Sequence, residues 1–139
     1  MPQLYDMQKK MTDEDLSQAG LMVVGLLKKK DFKEIEKEFD YALRYGRPTG
    51  QAVEEDLNRA IRECSKISSL DTASMTIKVS HFKPDESHLR SLVECYCEVS
   101  EGNGILVELI LAESGQLYIE DISAYRNNEE HIKSELDNA

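Results

Sequence analysis

Cys95 and Cys97 are the residues best suited by type to metal or redox chemistry. They sit two apart in the run Val93-Glu94-Cys95-Tyr96-Cys97-Glu98-Val99. That run alternates as a strand does, so both thiols point to one face. A zinc site needs about four ligands, and no CxxC or HxxxH accompanies the pair. A bridge between the two would be strained, because alternate strand residues stand ~6.5–7 Å apart. Cys64 brings the count to three, an odd number that makes a poor disulfide framework. The expectation is three free thiols, no metal and no cofactor, with Cys95 and Cys97 serving as small buried hydrophobes. Reduced thiols suit a cytoplasmic setting. No Ser-His-Asp spacing and no Gly-rich phosphate loop stands out. His81 and His88 flank the Pro84 turn, where solvated loop residues are expected.

The opposite face of the same strand pattern carries a different chemistry. Glu94, Tyr96, Glu98, Leu106, Glu108, Ile110, Tyr118, Glu120 and Ile122 all fall there by parity. Tyrosine and aliphatic side chains among carboxylates suit protein binding: apolar anchors for affinity, acids to steer a basic partner. An antiparallel sheet with one wet face would account for the same pattern without any partner. Pairing of two copies through this face would set carboxylate against carboxylate, so monomer and homodimer both stay open.

These faces must be positioned by the elements around them. Thr12 reads as an N-cap, with Asp13, Glu14 and Asp15 in the first turn, where the helix dipole favours acids. Leu16 to Leu27 carry a broad apolar stripe, and Lys28, Lys29 and Lys30 close the helix. Asp31 and Glu34 have capping-box spacing. Phe32, Ile35, Phe39, Ala42 and Leu43 then predict a second helix running to a Gly46 stop. Thr49 is expected to cap a third, with Val53, Leu57, Ala60, Ile61 and Cys64 on its face and an end near Ile67. The period then falls to two. Strands are predicted over 73–80, 92–99, 105–111 and 117–125, with a hairpin at Glu101-Gly102-Asn103-Gly104. Leu117, Ile119 and Asp121 share the inward parity on the last strand.

Helices followed by strands predict an α+β fold: three helices packed on one face of a curved antiparallel sheet of four strands. We expect one domain over residues 1–126, with 1–11 a loose lead-in and 127–139 a polar tail. The chain has 139 residues, 40% apolar and 32% charged, enough for one core. No apolar run approaches the roughly 20 residues of a membrane span, and the first residues lack the apolar stretch of a secretory signal. Seventeen basic against 27 acidic residues argue against nucleic acid and anionic membrane as partners. Residues 1–71 are nearly balanced, with 12 basic and 14 acidic side chains, whereas residues 72–139 hold 5 and 13. The negative charge therefore belongs to the strand half and its tail.

Three stretches carry a family resemblance. Leu26-Leu27-Lys28-Lys29-Lys30-Asp31-Phe32, Phe39-Asp40 and Ser114-Gly115-Gln116-Leu117-Tyr118-Ile119 resemble the helix junction, short second helix and closing hairpin of the nuclear transport factor 2-like (cystatin-like α+β cone) superfamily. The resemblance spans roughly residues 13–126. It implies a cone between helices and sheet, and a function among small enzymes, ligand-binding modules and protein-binding members, some of them bacterial toxin-immunity proteins. Fold leaves that choice open. The enzymes place an acid or base with a tyrosine inside the cone, which implies Asp121 with Tyr96 or Tyr41 as the candidates here, with Tyr45, His81 and His88 behind them. The alternative is a small pocket isomerase, dehydratase, cyclase or ligand-binding module. The preferred expectation is a non-catalytic, immunity-type protein that neutralises a basic toxin through Glu94, Tyr96, Glu98, Glu108, Tyr118 and Glu120.

Overall fold

The computed structural model describes residues 11–64, 70, 74–100 and 102–126. The lead-in before residue 11, the third helix's expected end near Ile67, Ala73, Glu101 and the tail 127–139 lie outside the described residues. Helix α1 spans Asp13–Lys29, α2 Phe32–Glu38 and α3 Thr49–Cys64; strand β1 spans Ser74–His81, β2 Leu89–Ser100, β3 Asn103–Ala112 and β4 Leu117–Tyr125. The strands form one antiparallel sheet in the order β1-β2-β3-β4. This is the α+β arrangement expected, with the helices ahead of the strands. No described helix is long and apolar enough to cross a membrane.

Local chemistry sets the helix ends. Thr12 and Asp15 form a reciprocal capping box: Thr12 Oγ1 accepts from Asp15 N at 3.1 Å, and Thr12 N donates to Asp15 Oδ2 at 2.9 Å. Lys30 turns left-handed at φ 59° and closes α1 through bonds to the carbonyls of Leu26 and Leu27. Asp31 Oδ1 then accepts from Glu34 N at 3.3 Å and starts α2.

Helix α2 ends at Glu38, short of the Leu43 that its apolar spacing predicts. Phe39 is extended, and the chain runs beside β4 with a parallel bridge between Tyr41 and Ile119. Ile119 N donates to Asp40 O, and Ala42 N donates to Ile119 O, both at 2.9 Å. The open edge of β4 needs partners for its backbone, and that demand overrides the helical periodicity. Asp40 assists, since its own carboxylate accepts from Tyr41 N at 2.8 Å and offers the backbone an alternative to the helix.

Thr49 is the first residue of α3 and not its cap. The carbonyl of Pro48 accepts from Ala52 N, and the free N–H of Gly50 is met by Glu36 Oε1 at 2.7 Å, reaching over from α2. A carboxylate at that end also suits the helix dipole.

The core lies between the helices and one sheet face. Leu16, Val23, Val24 and Leu27 of α1 join Ala52, Val53, Leu57 and Ala60 of α3 in one cluster with Val93, Cys95, Cys97, Ile105, Val107, Leu109, Leu111 and Ile119. Helix α1 lies on β1 and β2, and α3 on β3 and β4. Cys95, Cys97 and Cys64 are free thiols. Burial pushes the Cys95 thiol up to about 12 and the Cys97 thiol up to about 11.

A bulge in β4 revises the sequence reading of that strand. Leu109 pairs with Ile119 but Glu108 pairs with Asp121, so Glu120 is the extra residue and the alternation reverses beyond it. Ile122, expected on the outer face, pairs with Val107 and is buried in the core. Asp121, expected to face inward, stands opposite Glu108 on the outer face. A second bulge at Val99 lets β2 turn into its hairpin. Gly104 is essential there, because a Cβ at that position would collide with the carbonyl of Cys97.

Candidate functional site: the open face of the sheet

The register assembles the outer face into rows that run across the strands. One row is Lys78, Glu94, Glu108 and Asp121, one residue from each strand, with Glu120 beside it at the bulge. Directly opposed side chains stand ~4.5–5.5 Å apart, so three carboxylates are nearest neighbours. On one side lie Leu92, Ile110 and Tyr118; on the other lie Tyr96 and Leu106. Ile110 is only 5% exposed and stands apart from the core cluster. No described helix packs here.

Four of the six expected binding residues come together on this surface around the acidic row: Glu94, Tyr96, Glu108 and Tyr118. Glu120 joins them through the bulge. Glu98 lies one row further along, exposed, and accepts from Gly102 N at 2.8 Å, which ties it to the hairpin. Asp121, expected elsewhere, belongs to the acidic row as well. Tyr96 Oη donates to Glu94 Oε2 at 3.0 Å, and its ring meets Tyr125 edge-on at 5.4 Å. Among the described residues no cation lies within ion-pair distance of Glu94, Glu108, Glu120 or Asp121.

The electrostatics follow from that crowding. Burial, then the charges of Asp121, Glu94 and Glu120, push the Glu108 carboxyl above its usual range. Burial and Glu94 raise the Tyr96 hydroxyl, and burial with Glu120 raises that of Tyr118. Both tyrosines are therefore neutral donors at pH 7. The face offers anionic acceptors, phenol donors and flat apolar surface.

Tyr41, a candidate for acid–base work, is committed elsewhere. It is 1% exposed and donates to Asp56 Oδ2 at 2.5 Å. Asp56, itself 3% exposed, also meets Arg47 at 3.2 Å and Arg59 at 3.3 Å. Burial opposes the charge on Asp56, but the hydrogen bonds from Arg47 and Tyr41 and the nearby guanidinium charges outweigh it. The carboxyl is held below the ordinary range. The cluster locks the 40–42 segment to α3, and no buried side-chain polar atom among the described residues lacks a partner. Of the expected acid–base candidates, Tyr41 is bonded to Asp56 and Tyr96 to Glu94, while burial and then Asp56 raise the Tyr41 hydroxyl and the Asp121 charge adds to that rise. Among the described residues, one cleft of about 320 Å³ lies beside Phe82 and Arg90 and another of about 300 Å³ beside Phe32 and Gly50.

Sequence spacing missed one further constellation. His81 is the last residue of β1 and not a free loop residue. Its Nδ1 lies 2.8 Å from Ser91 Oγ, and its Nε2 lies 2.8 Å from Asp13 Oδ1. The residue types match a hydrolase triad, but the geometry is inverted. Ser91 is 1% exposed, whereas the Asp13 side chain is 68% exposed. A nucleophile must reach substrate and its orienting acid is normally the sheltered partner. The chain of contacts instead fastens the start of α1 to the sheet. Nothing in local sequence points to it, because Asp13 and His81 are 68 residues apart. His88 is exposed and meets Glu113 at 3.0 Å.

No protein-family model, no curated protein and no solved structure matches this chain.

Proposed function

We propose that the protein is a non-catalytic binding module whose open sheet face receives a basic protein partner. The observation that carries this reading is the row of Glu94, Glu108 and Asp121, with no described cation within ion-pair distance and with apolar and tyrosine side chains on both sides. Acids without an ion-pair partner speed encounter with a cationic surface, and the flanking Leu92, Tyr118, Tyr96 and Leu106 supply area that excludes water. The most concrete form is an immunity-type protein that neutralises a basic toxin, in line with the nuclear transport factor 2-like resemblance of the sequence. A cytotoxic nuclease is cationic where it holds phosphates, and a row of carboxylates mimics that charge. Against the pocket-enzyme reading, two of its candidates are already engaged, Tyr41 with Asp56 and Tyr96 with Glu94.

The test is a pull-down from source lysate with the wild type and a Glu94→Lys/Glu108→Lys/Glu120→Lys variant, each at low and high salt. The expected result is a strongly basic protein retained by the wild type at low salt and released by the variant. Equal capture by both would refute the acidic face as the binding surface.

A further inference from the structure

The direction of the acidic row limits what can lie on it. It crosses the strands at right angles, so its carboxylates follow the inter-strand spacing of ~4.8 Å. Glu94, Glu108 and Asp121 sit on β2, β3 and β4 in sequence, two such steps. The apolar rows lie two residues away along the strands on either side, ~6.6–7 Å from the acids. The acidic stripe with both borders is therefore ~13–14 Å wide. A helix with its side chains is about 10–12 Å across, and its i,i+3 and i,i+4 neighbours rise ~4.5–6 Å along its axis. An extended chain presents same-face side chains only every ~6.6–7 Å, out of step with the row.

From this match we propose that the face receives a basic amphipathic helix lying across the strands, its Lys/Arg stripe on Glu94, Glu108 and Asp121 and its apolar flanks on Leu92 and Tyr118 to one side and Tyr96 and Leu106 to the other. The inference rests on the protein-binding reading and names the partner's form. The cationic stripe runs along the centre of the docked surface, with apolar positions to both sides. Glu120, supplied by the bulge, doubles the acid at the β4 end of the stripe, while Lys78 ends it at β1.

The experiment uses two labelled synthetic peptides of identical composition, about 18 residues of Lys, Leu and Ala, long enough to hold a helix. One sets Lys at i, i+4, i+7 and i+11 with Leu on both flanks. The other permutes the same residues so that its Lys alternate with Leu in one continuous run, with the Ala at the ends. Each is titrated by fluorescence anisotropy into the full chain and into a Glu94→Gln/Glu108→Gln/Asp121→Asn variant, whose melting temperature and circular dichroism verify folding. We expect the helical peptide to bind the wild type about tenfold more tightly than the alternating one, and to lose that advantage with the variant and with added salt. Equal binding of both peptides, lost in the variant, overturns the helix and leaves the acidic face standing. Binding that ignores the variant overturns both. Self-association of the unliganded chain that the variant strengthens identifies a second copy as the occupant and also overturns the proposal.

Discussion

Replacing Glu108 by Gln should make this protein more stable while weakening its binding. Glu108 stands directly between Glu94 and Asp121 on adjacent strands, with Glu120 beside it. Like charges directly opposed across strands destabilise by ~0.2–1 kcal/mol each, so relieving two such pairs is worth ~0.4–2 kcal/mol at pH 7. For a domain of this size that is a rise of about 1–8 °C in melting temperature. The pH dependence identifies the cause. Burial and the neighbouring acids raise the Glu108 carboxyl, so the folded state binds its proton more tightly than the unfolded state does. Wild-type stability linked to this group is complete below the unfolded value near ~4.3 and falls as pH rises through the folded value. Gln has no such titration. The advantage of Glu108→Gln is therefore absent in acid, grows across the window above ~4.3 and is constant beyond it. Urea unfolding of both proteins at a series of pH values, with and without added salt, measures this directly. Salt should shrink the difference. A destabilised variant at pH 7, or an advantage equal at every pH, would show that the three carboxylates do not repel one another.

Two further substitutions probe the scaffold. Tyr41→Phe removes the hydroxyl that donates to buried Asp56 and should cost about 1.5–3 kcal/mol at pH 7. Because the folded Asp56 carboxyl is held low, its contribution is complete above ~3.9 and is lost as pH falls through the folded value, so the two proteins should converge in acid denaturation curves. Gly20→Ala and Gly25→Ala make the same change on one helix with opposite results. A Cβ at Gly20 would lie 2.8 Å from Cys95 Sγ, inside the packed interface with β2, and should destabilise by ~1–3 kcal/mol before the ~1 kcal/mol gain in helix propensity. A Cβ at Gly25 meets nothing within 4 Å, so that variant should melt higher by the propensity gain alone.

How much of this was legible in the sequence depends on whether the signal is local. Helix starts at Thr12 and Asp31 depend on side chains three residues apart, and the strands on alternation, so both are readable from a short window. The extent of α2 is not. Phe39, Ala42 and Leu43 have helical spacing, but the backbone partner that claims residues 40–42 is Ile119, about 80 residues away in sequence. The bulge at Glu120 is equally hidden. It needs no special residue type, yet it reverses the parity of everything after it, moving Ile122 inward and Asp121 outward. The one available sign was hydropathy: counting from Ile122 and Ala124 inward gives the opposite phase from counting from Leu117 and Ile119. The acidic face was legible as a set of residues, because β2 and β3 keep strict alternation between Ser91 and Glu98. Its arrangement as a transverse row was not, since that requires the register of all four strands.

The same domain treats its carboxylates in two ways, and the contrast bears on function. Asp56 is buried and receives Tyr41, Arg47 and Arg59. Glu94, Glu108, Asp121 and Glu120 share one face with no described cation within ion-pair distance, Lys78 standing at the end of their row. The fold had a neutral solution available: Thr76 and Ser123 occupy the next row on the edge strands at no electrostatic cost. A sheet has two ways to recruit a partner, by its edge or by its face. Residues 40–42 occupy the β4 edge at Ile119, and Lys78 stands in the middle of β1, the other edge, where a charge discourages added strands. On the proposed reading, association uses the face, where the acidic row lies. A partner that brings cations to that row relieves the repulsion as it binds. The strain that lowers the stability of the free protein thus becomes part of the free-energy difference between the free and the bound state.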